Sequence, residues 1–394
     1  MFGRALQVLL VFLRLGLTSF GGPVAHLGYF RAEFVARRRW LDEATFADLV
    51  ALCQFMPGPA SSQTGMAIGV LHAGPLGMLA AWVGFTLPSA VAMTLFALGL
   101  GALGDVGHAS WVHGLKLVAV AIVAQAVWGM ARSLAPDRTR ATVAVAACLL
   151  ALALPSTPGQ LAAIALGGLA GLFVLPRPDP QPASDVRIGL GIPRPVAVAL
   201  LVAFAGLLLA LPPLARGADV HALSLFDAFY RAGALVFGGG HVVLPLLQAS
   251  VVPPGWVGND AFLAGYGATQ AMPGPIFTFA AYLGAIETPA PNGWAGAALG
   301  TVAIFAPSFL LVGGLLPFWD GLRRRTAVQA VLRGVNAAVV GVLLAALYTP
   351  IWTGAVTGPA DFGLALAAFL GLTLWALPPW LVVVAGAGLG ALVL

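Results

Sequence analysis

Apolar residues run through this chain in long blocks, not at the spacing of a surface helix with one wet face. The blocks cover 5–29, 44–71, 75–102, 111–134, 140–155, 160–176, 196–214, 223–248, 261–286, 294–318, 327–349, 361–377 and 379–394. About 20 helical residues cross the hydrocarbon core of a bilayer, so the longer blocks predict membrane helices. The short pairs 140–155/160–176 and 361–377/379–394 are joined by LPSTPGQ and ALPPW and predict tight helical hairpins. One proline-rich polar stretch, PRPDPQPASDVRIGLGIPRP at 176–195, predicts an exposed linker.

Four blocks carry a break, and the breaks come in pairs. FLRLGLTSFGGP at 12–23 aligns without gaps on FYRAGALVFGGG at 229–240, a shift of 217. MPGP recurs at 56–59 and 272–275, LPS at 87–89 is answered by APS at 306–308, and HGLKLVAVAIV at 113–123 by RGVNAAVVGVL at 333–343. This is a duplicated unit. It predicts an N-terminal repeat at 1–176, a linker at 177–195, a connecting transmembrane helix at 196–222 and a C-terminal repeat at 223–394.

Arginines set the expected orientation. They cluster at 31–39, at 132–140, in the linker and at 323–333, whereas ASVVPPGWVGND at 249–260 has no Lys or Arg. Placing every cluster on the cytoplasmic side requires each broken pair to enter and leave by one face. The two repeats then lie upside down to one another, with Arg216 alone against the rule. The fold class predicted is an all-α polytopic membrane protein of two inverted-topology repeats, with broken or re-entrant helices at the FGG and PGP motifs.

Composition agrees. Of 394 residues 60% are hydrophobic and 8% charged, and the mean hydropathy is +0.96. The start of the chain, with Arg4 and Arg14 and no small-x-small site, does not read as a cleavable signal. The basic residues sit between apolar blocks, so nucleic acid is not an expected partner. Cys53 and Cys148 form no CxxC pair, so no metal site or cofactor is expected. No GxSxG or HExxH pattern occurs, which speaks against an enzyme.

Irregular backbone is tolerated at membrane depth where it lines a polar cavity, and interrupted helices in inverted repeats mark the substrate site of secondary transporters. The plain alternative is that Pro and Gly kink ordinary spans. On the functional reading, the candidate substrate-binding set is Gly21, Gly22, Gly238, Gly239, Pro57, Gly58, Pro273 and Gly274, with Arg14, Arg231, Gln54, Gln270, Ser61 and Lys116. Arg14 and Arg231 occupy matched places before the two FGG breaks, and a guanidinium suits an oxyanion; snorkelling to the interface is the other reading of Arg14. Gln54 and Gln270 precede each PGP by three residues and serve either as donors or as interhelical hydrogen bonds. Lys116, answered by Asn336, is either a third positive contact or a snorkelling residue. His26, His241, Glu33 and Asp48 are the proton-coupling candidates, with structural hydrogen bonding as the alternative for both histidines.

These residues carry a resemblance. SFGGPVAHLGYFRAEFVARRRWLDEATFADLVALCQFMPGPASSQTGMAIG and VFGGGHVVLPLL followed by WVGNDAFLAGYGATQAMPGPIFTFAAYLGA resemble the two signatures of the chromate ion transporter family, long-chain type. The resemblance spans nearly the whole chain. It implies a multi-pass protein of the cell inner membrane that exports chromate, driven by the proton-motive force, and so confers resistance. It also implies kinship with sulfate, a tetrahedral dianion of similar size. The rival readings are a sulfate/chromate uptake transporter and an oxyanion channel. Expected partners are chromate, sulfate, the lipid bilayer and, as an open question, a second copy of the chain in a homodimer.

Overall fold

The computed structural model describes residues 2–103, 109–176, 192–322 and 325–393. In the first half, α1 (Phe2–Thr18) and α2 (Gly22–Phe30, continued by a π-helical stretch Arg31–Arg37) flank the first FGG motif. α3 (Glu43–Phe55) and α4 (Ala60–Ala102) flank the first PGP. α5 (Ser110–Leu134) follows, then the hairpin of α6 (Arg138–Ala153) and α7 (Thr157–Phe173). α8 (Arg194–Ala218) leads to the second half. There α9 (His221–Ala234) and α10 (Val243–Val251, after a 3-10 turn at Gly240–Val242) flank the second FGG, and α11 (Asn259–Thr269) and α12 (Phe279–Ile286) the second PGP. α13 (Gly293–Leu315), α14 (Trp319–Leu322), α15 (Thr326–Ala346) and α16 (Thr353–Ala355) precede the closing hairpin of α17 (Pro359–Thr373) and α18 (Pro379–Val393).

Among the described residues there is no strand. Among the described residues five stretches are long and apolar enough to cross a membrane, at Ala60–Ala102, Ser110–Leu134, Arg194–Ala218, Gly293–Phe318 and Thr326–Ala355. The protein is thus an all-α, multi-pass membrane protein. The linker expected at 177–195 lies mostly outside the described residues; its last two positions begin α8. Arg323 and Arg324 also lie outside them.

The breaks fall where the motifs predict. Gly21, Gly22, Gly238 and Gly239 have φ of +100°, +78°, +74° and +153°, and Gly58 and Gly274 have +118° and +90°. A side chain is strained at such values, so only glycine enters cheaply. Helix starts follow from local chemistry. Asp42 accepts the Thr45 N–H at 2.7 Å, which caps α3 and holds its carboxyl below the usual range. Asp137 caps α6 in the same way.

The first broken helix folds back on itself. Phe12 of α1 lies 5.5 Å from Phe30 and 5.0 Å from Phe34 between ring centres, and Arg14 comes within 3.9 Å of Glu33. At the open end of this hairpin Trp40 stacks on His72 at 3.7 Å, and His72 reaches Gln7. The chain therefore enters and leaves the first FGG break from one side.

The two halves hold each other reciprocally. Gly58 of the first PGP donates its N–H to Val236 O (2.7 Å), while Gly274 of the second PGP donates to Ser19 O (2.9 Å). Val236 and Ser19 are the equivalent residues two places before each FGG glycine pair. The hairpins are exchanged too: α6 and α7 pack on α15 of the other half, and α17 and α18 pack on α5. Both seams use small residues. Gly167 and Gly171 of α7 meet the α15 backbone and Ala338, and Gly386 and Gly390 of α18 meet Val118 and the α5 backbone, so a β-carbon at any of the four would collide. Close approach through small residues at i and i+4 is a common way to join helices in lipid. The sequence repeats are therefore not separate packing units. α8, by contrast, has few buried residues and faces outward.

Candidate functional site

A cavity of about 410 Å³ lies where the breaks converge. Gly21 and Gly22 reach it from the first FGG, Gly238 and Gly239 from the second, and Gln270 and Gly274 from the second PGP. These come from both halves of the chain, so the site exists only in the assembled fold. His241 also lines it.

The breaks decide what the cavity offers. α2 begins at Gly22 with Gly21 as its cap, and the turn leading into α10 begins at Gly240 with Gly239 as its cap; neither cap gives a side-chain hydrogen bond. The first N–H groups of a helix have no partner inside the helix, and the aligned peptides place partial positive charge there. Two uncapped helix starts at one cavity make a lining that favours an anion. Gln270 Nε2 is buried with no hydrogen-bond partner among the described residues. His241 Nδ1 lies 2.7 Å from Tyr266 Oη. With Nδ1 accepting from that hydroxyl, a neutral His241 carries its proton on Nε2 and presents a second donor.

The arginines are held elsewhere. Arg14 is exposed and pairs with Glu33, which also takes Arg37 at 3.1 Å and Arg38 at 2.6 Å. Arg231 grips Asp227 of its own helix through two hydrogen bonds, at 2.9 and 2.6 Å. Lys116 pairs with Asp260 at 3.0 Å. Among the described residues no Lys, Arg, Asp or Glu lines the cavity. Backbone and neutral side chains supply its polarity, and the expected guanidinium cup is absent from the lining.

The first PGP makes a separate buried polar cluster. Gln63 Nε2 donates to Pro57 O at 2.6 Å and lies 3.3 Å from Ser308 Oγ, close under Gly58. His26 Nδ1 is 3.3 Å from Ser61 Oγ. His26 and Ser61 are buried but not on the lining. Gln54 is exposed, unlike its counterpart Gln270, and Asp48 is half-buried on α3. Pro273 sits between the lining residues Met272 and Gly274. The cavity is thus lopsided: both FGG motifs but only the second PGP reach it.

Sequence reasoning missed the wall made by α5. Gln125, Gly129 and Ser133 line the cavity, and their i, i+4, i+8 spacing puts them on one helix face. That polar stripe in an otherwise apolar block was the available signal.

Comparisons with known proteins identify the family of the chain. The family model described as Chromate transporter matches residues 6–172 and again 223–391. The chain is 30% identical to a chromate transport protein of Pseudomonas aeruginosa over 347 residues, 86% of this chain and 79% of that one. It is 28% identical to a chromate transport protein of Cupriavidus metallidurans, over 86% of this chain and 81% of that one. A probable chromate transport protein of Synechococcus elongatus is 27% identical, over 86% and 83%. No solved structure matches the chain. With two family matches that divide the sequence between them, and both FGG motifs meeting at one cavity, the chain belongs to the chromate transporter family.

Proposed function

We propose that this protein exports chromate across the inner membrane, driven by the proton-motive force, and that the converging breaks form the chromate site. The observation that carries the anion site is the meeting of two uncapped helix starts, one from each half, in a cavity with no acidic side chain among its described lining residues. A tetrahedral dianion has four oxygens to satisfy, and backbone N–H groups, Gln270 and His241 are all donors. A site of neutral dipoles also suits a carrier, which must release its ion. The volume of 410 Å³ holds one such ion with part of its hydration shell, since each water takes about 30 Å³. Sulfate meets the same donors and is the expected competitor. Arg14, Arg231 and Lys116, each already paired, act on this reading as positioning residues. Gln54, Pro57, Gly58 and Ser61 shape the first PGP that braces the cavity from the other half.

The test is labelled chromate movement in inverted membrane vesicles, with and without an imposed pH gradient and with sulfate competing. Accumulation that follows the gradient and collapses with uncoupler supports export by coupled transport. Equilibration unaffected by uncoupler identifies a channel. Expression that sensitises cells to chromate identifies an uptake carrier.

A further inference from the structure

Glu287 is an acid in an unusual place. It is 1% exposed, and neither carboxylate oxygen has a hydrogen-bond partner among the described residues. It closes α12 at a corner where three connections of the second half meet. His221, the first residue of α9, puts Nε2 at 3.5 Å from Glu287 Oε2, and that nitrogen also lacks a hydrogen-bond partner. Trp256, between α10 and α11, stands edge-on to the His221 ring at 4.7 Å, and its carbonyl accepts the Thr288 N–H at 3.0 Å. The charged residues on these segments are engaged or distant. Arg216 and Asp219 are exposed at the α8–α9 turn, Asp227 and Arg231 pair with each other, and Asp260 pairs with Lys116.

The matching corner of the first half is built differently. Trp40, equivalent to Trp256, stacks on His72, and the nearby acid Glu33 is ringed by Arg14, Arg37 and Arg38. Glu33 is thus a compensated charge. Among the described residues Glu287 has one weak base as its ion-pair neighbour, and burial disfavours the charged form of both groups. The Glu287 carboxyl is pushed up to about 8, while the His221 imidazole is lowered by desolvation.

We propose that Glu287, with His221 beside it, is the proton-binding site that couples proton entry to movement of the chromate cavity. Protonated, Glu287 is neutral and the corner packs as described. On release the carboxyl O–H bond breaks and the proton passes to water, leaving a carboxylate that the buried corner cannot hold without opening. The mechanical link is short. α10 runs from the corner to Gly240, and α12 from Glu287 to the turn at Ile276; Gly240 and Ile276 both line the cavity. A corner that opens therefore shifts two walls of the site. This inference rests on the transport function proposed above, and its test separates the two.

The first measurement needs no chromate. Infrared difference spectra of the purified protein between pH 6 and 9 should show loss of a protonated-carboxyl band centred near pH 8, each pH unit changing the protonation ratio about tenfold. The band should vanish in Glu287→Gln, and His221→Gln should move its midpoint. The second measurement uses proteoliposomes. Glu287→Gln should lose chromate-dependent proton flux and the stimulation by a pH gradient, yet keep chromate exchange at equal concentrations on both sides. If Glu287→Gln does not insert, Glu287→Asp serves instead and should keep a displaced band. A wild type without the band, or a Glu287→Gln variant with wild-type proton flux, overturns the proposal. A wild type with the band but without chromate exchange leaves the proton site standing and overturns the substrate.

Discussion

Replacing Gly274 by alanine tests whether the cross-half contact holds the cavity. Gly274 has φ +90°, where a β-carbon is strained by about 1–3 kcal/mol. That carbon would sit 2.9 Å from Ser89 Oγ and 3.0 Å from Phe85 O of the other half. The hydroxyl can turn away, but the carbonyl belongs to α4 and cannot. Relief requires the PGP loop to retreat, weakening the Gly274 N–H bond to Ser19 O, worth about 1 kcal/mol. The expected total is about 2–4 kcal/mol. Gly22→Ala is the internal control. It lies on the same cavity at φ +78° but its β-carbon would meet nothing within 4 Å, so it carries strain alone. Thermal unfolding of detergent-purified variants, with chromate uptake in vesicles, should rank stability as wild type, then Gly22→Ala, then Gly274→Ala. Gly58→Ala, under the equivalent contact with Ser308, should resemble Gly274→Ala. A Gly274→Ala protein that melts and transports like wild type refutes the reciprocal clamp.

Gln270→Ala should weaken chromate binding roughly tenfold, the worth of one hydrogen bond to a charged group, whereas Gln54→Ala, on an exposed side chain, should leave binding unchanged; equilibrium binding to purified protein decides. Arg231→Ala strands the buried Asp227 and should cost about 3–5 kcal/mol of stability, read as lost expression and restored by adding Asp227→Asn; a stable single variant that merely fails to bind chromate would return Arg231 to the site. With Cys53 and Cys148 removed, Arg37→Cys and Gly255→Cys should react with membrane-impermeant reagent from opposite sides, and labelling from one side would refute inverted repeats. Gly129→Ala, at a cavity-lining position inside α5 with open space for the methyl, should stabilise the helix by about 0.5–1 kcal/mol yet slow transport; faster transport would remove α5 from the wall.

The fold was legible where it depends on local rules. Long apolar blocks must be helices in lipid because every backbone group needs a partner, and Gly-Gly and Pro-Gly-Pro interrupt a helix wherever they fall. The repeat can be read letter by letter, so the four breaks and their pairing stand in the sequence itself. Part of the arginine reading was available too, since Asp227 stands four residues before Arg231, one turn away on the same face. Arg14 gave no such signal. Its partner Glu33 is 19 positions on, and only the fold-back at Ser19–Gly21 brings them together. Periodicity likewise could not assign hairpins to partners, because an apolar helix presents much the same surface to either half. Tertiary packing decided that α6 and α7 lie on α15, that one PGP of the two reaches the cavity, and that Glu287 is sealed beside His221. Each is a long-range choice, set by which small residues meet and which polar groups are left unpaired when the halves close.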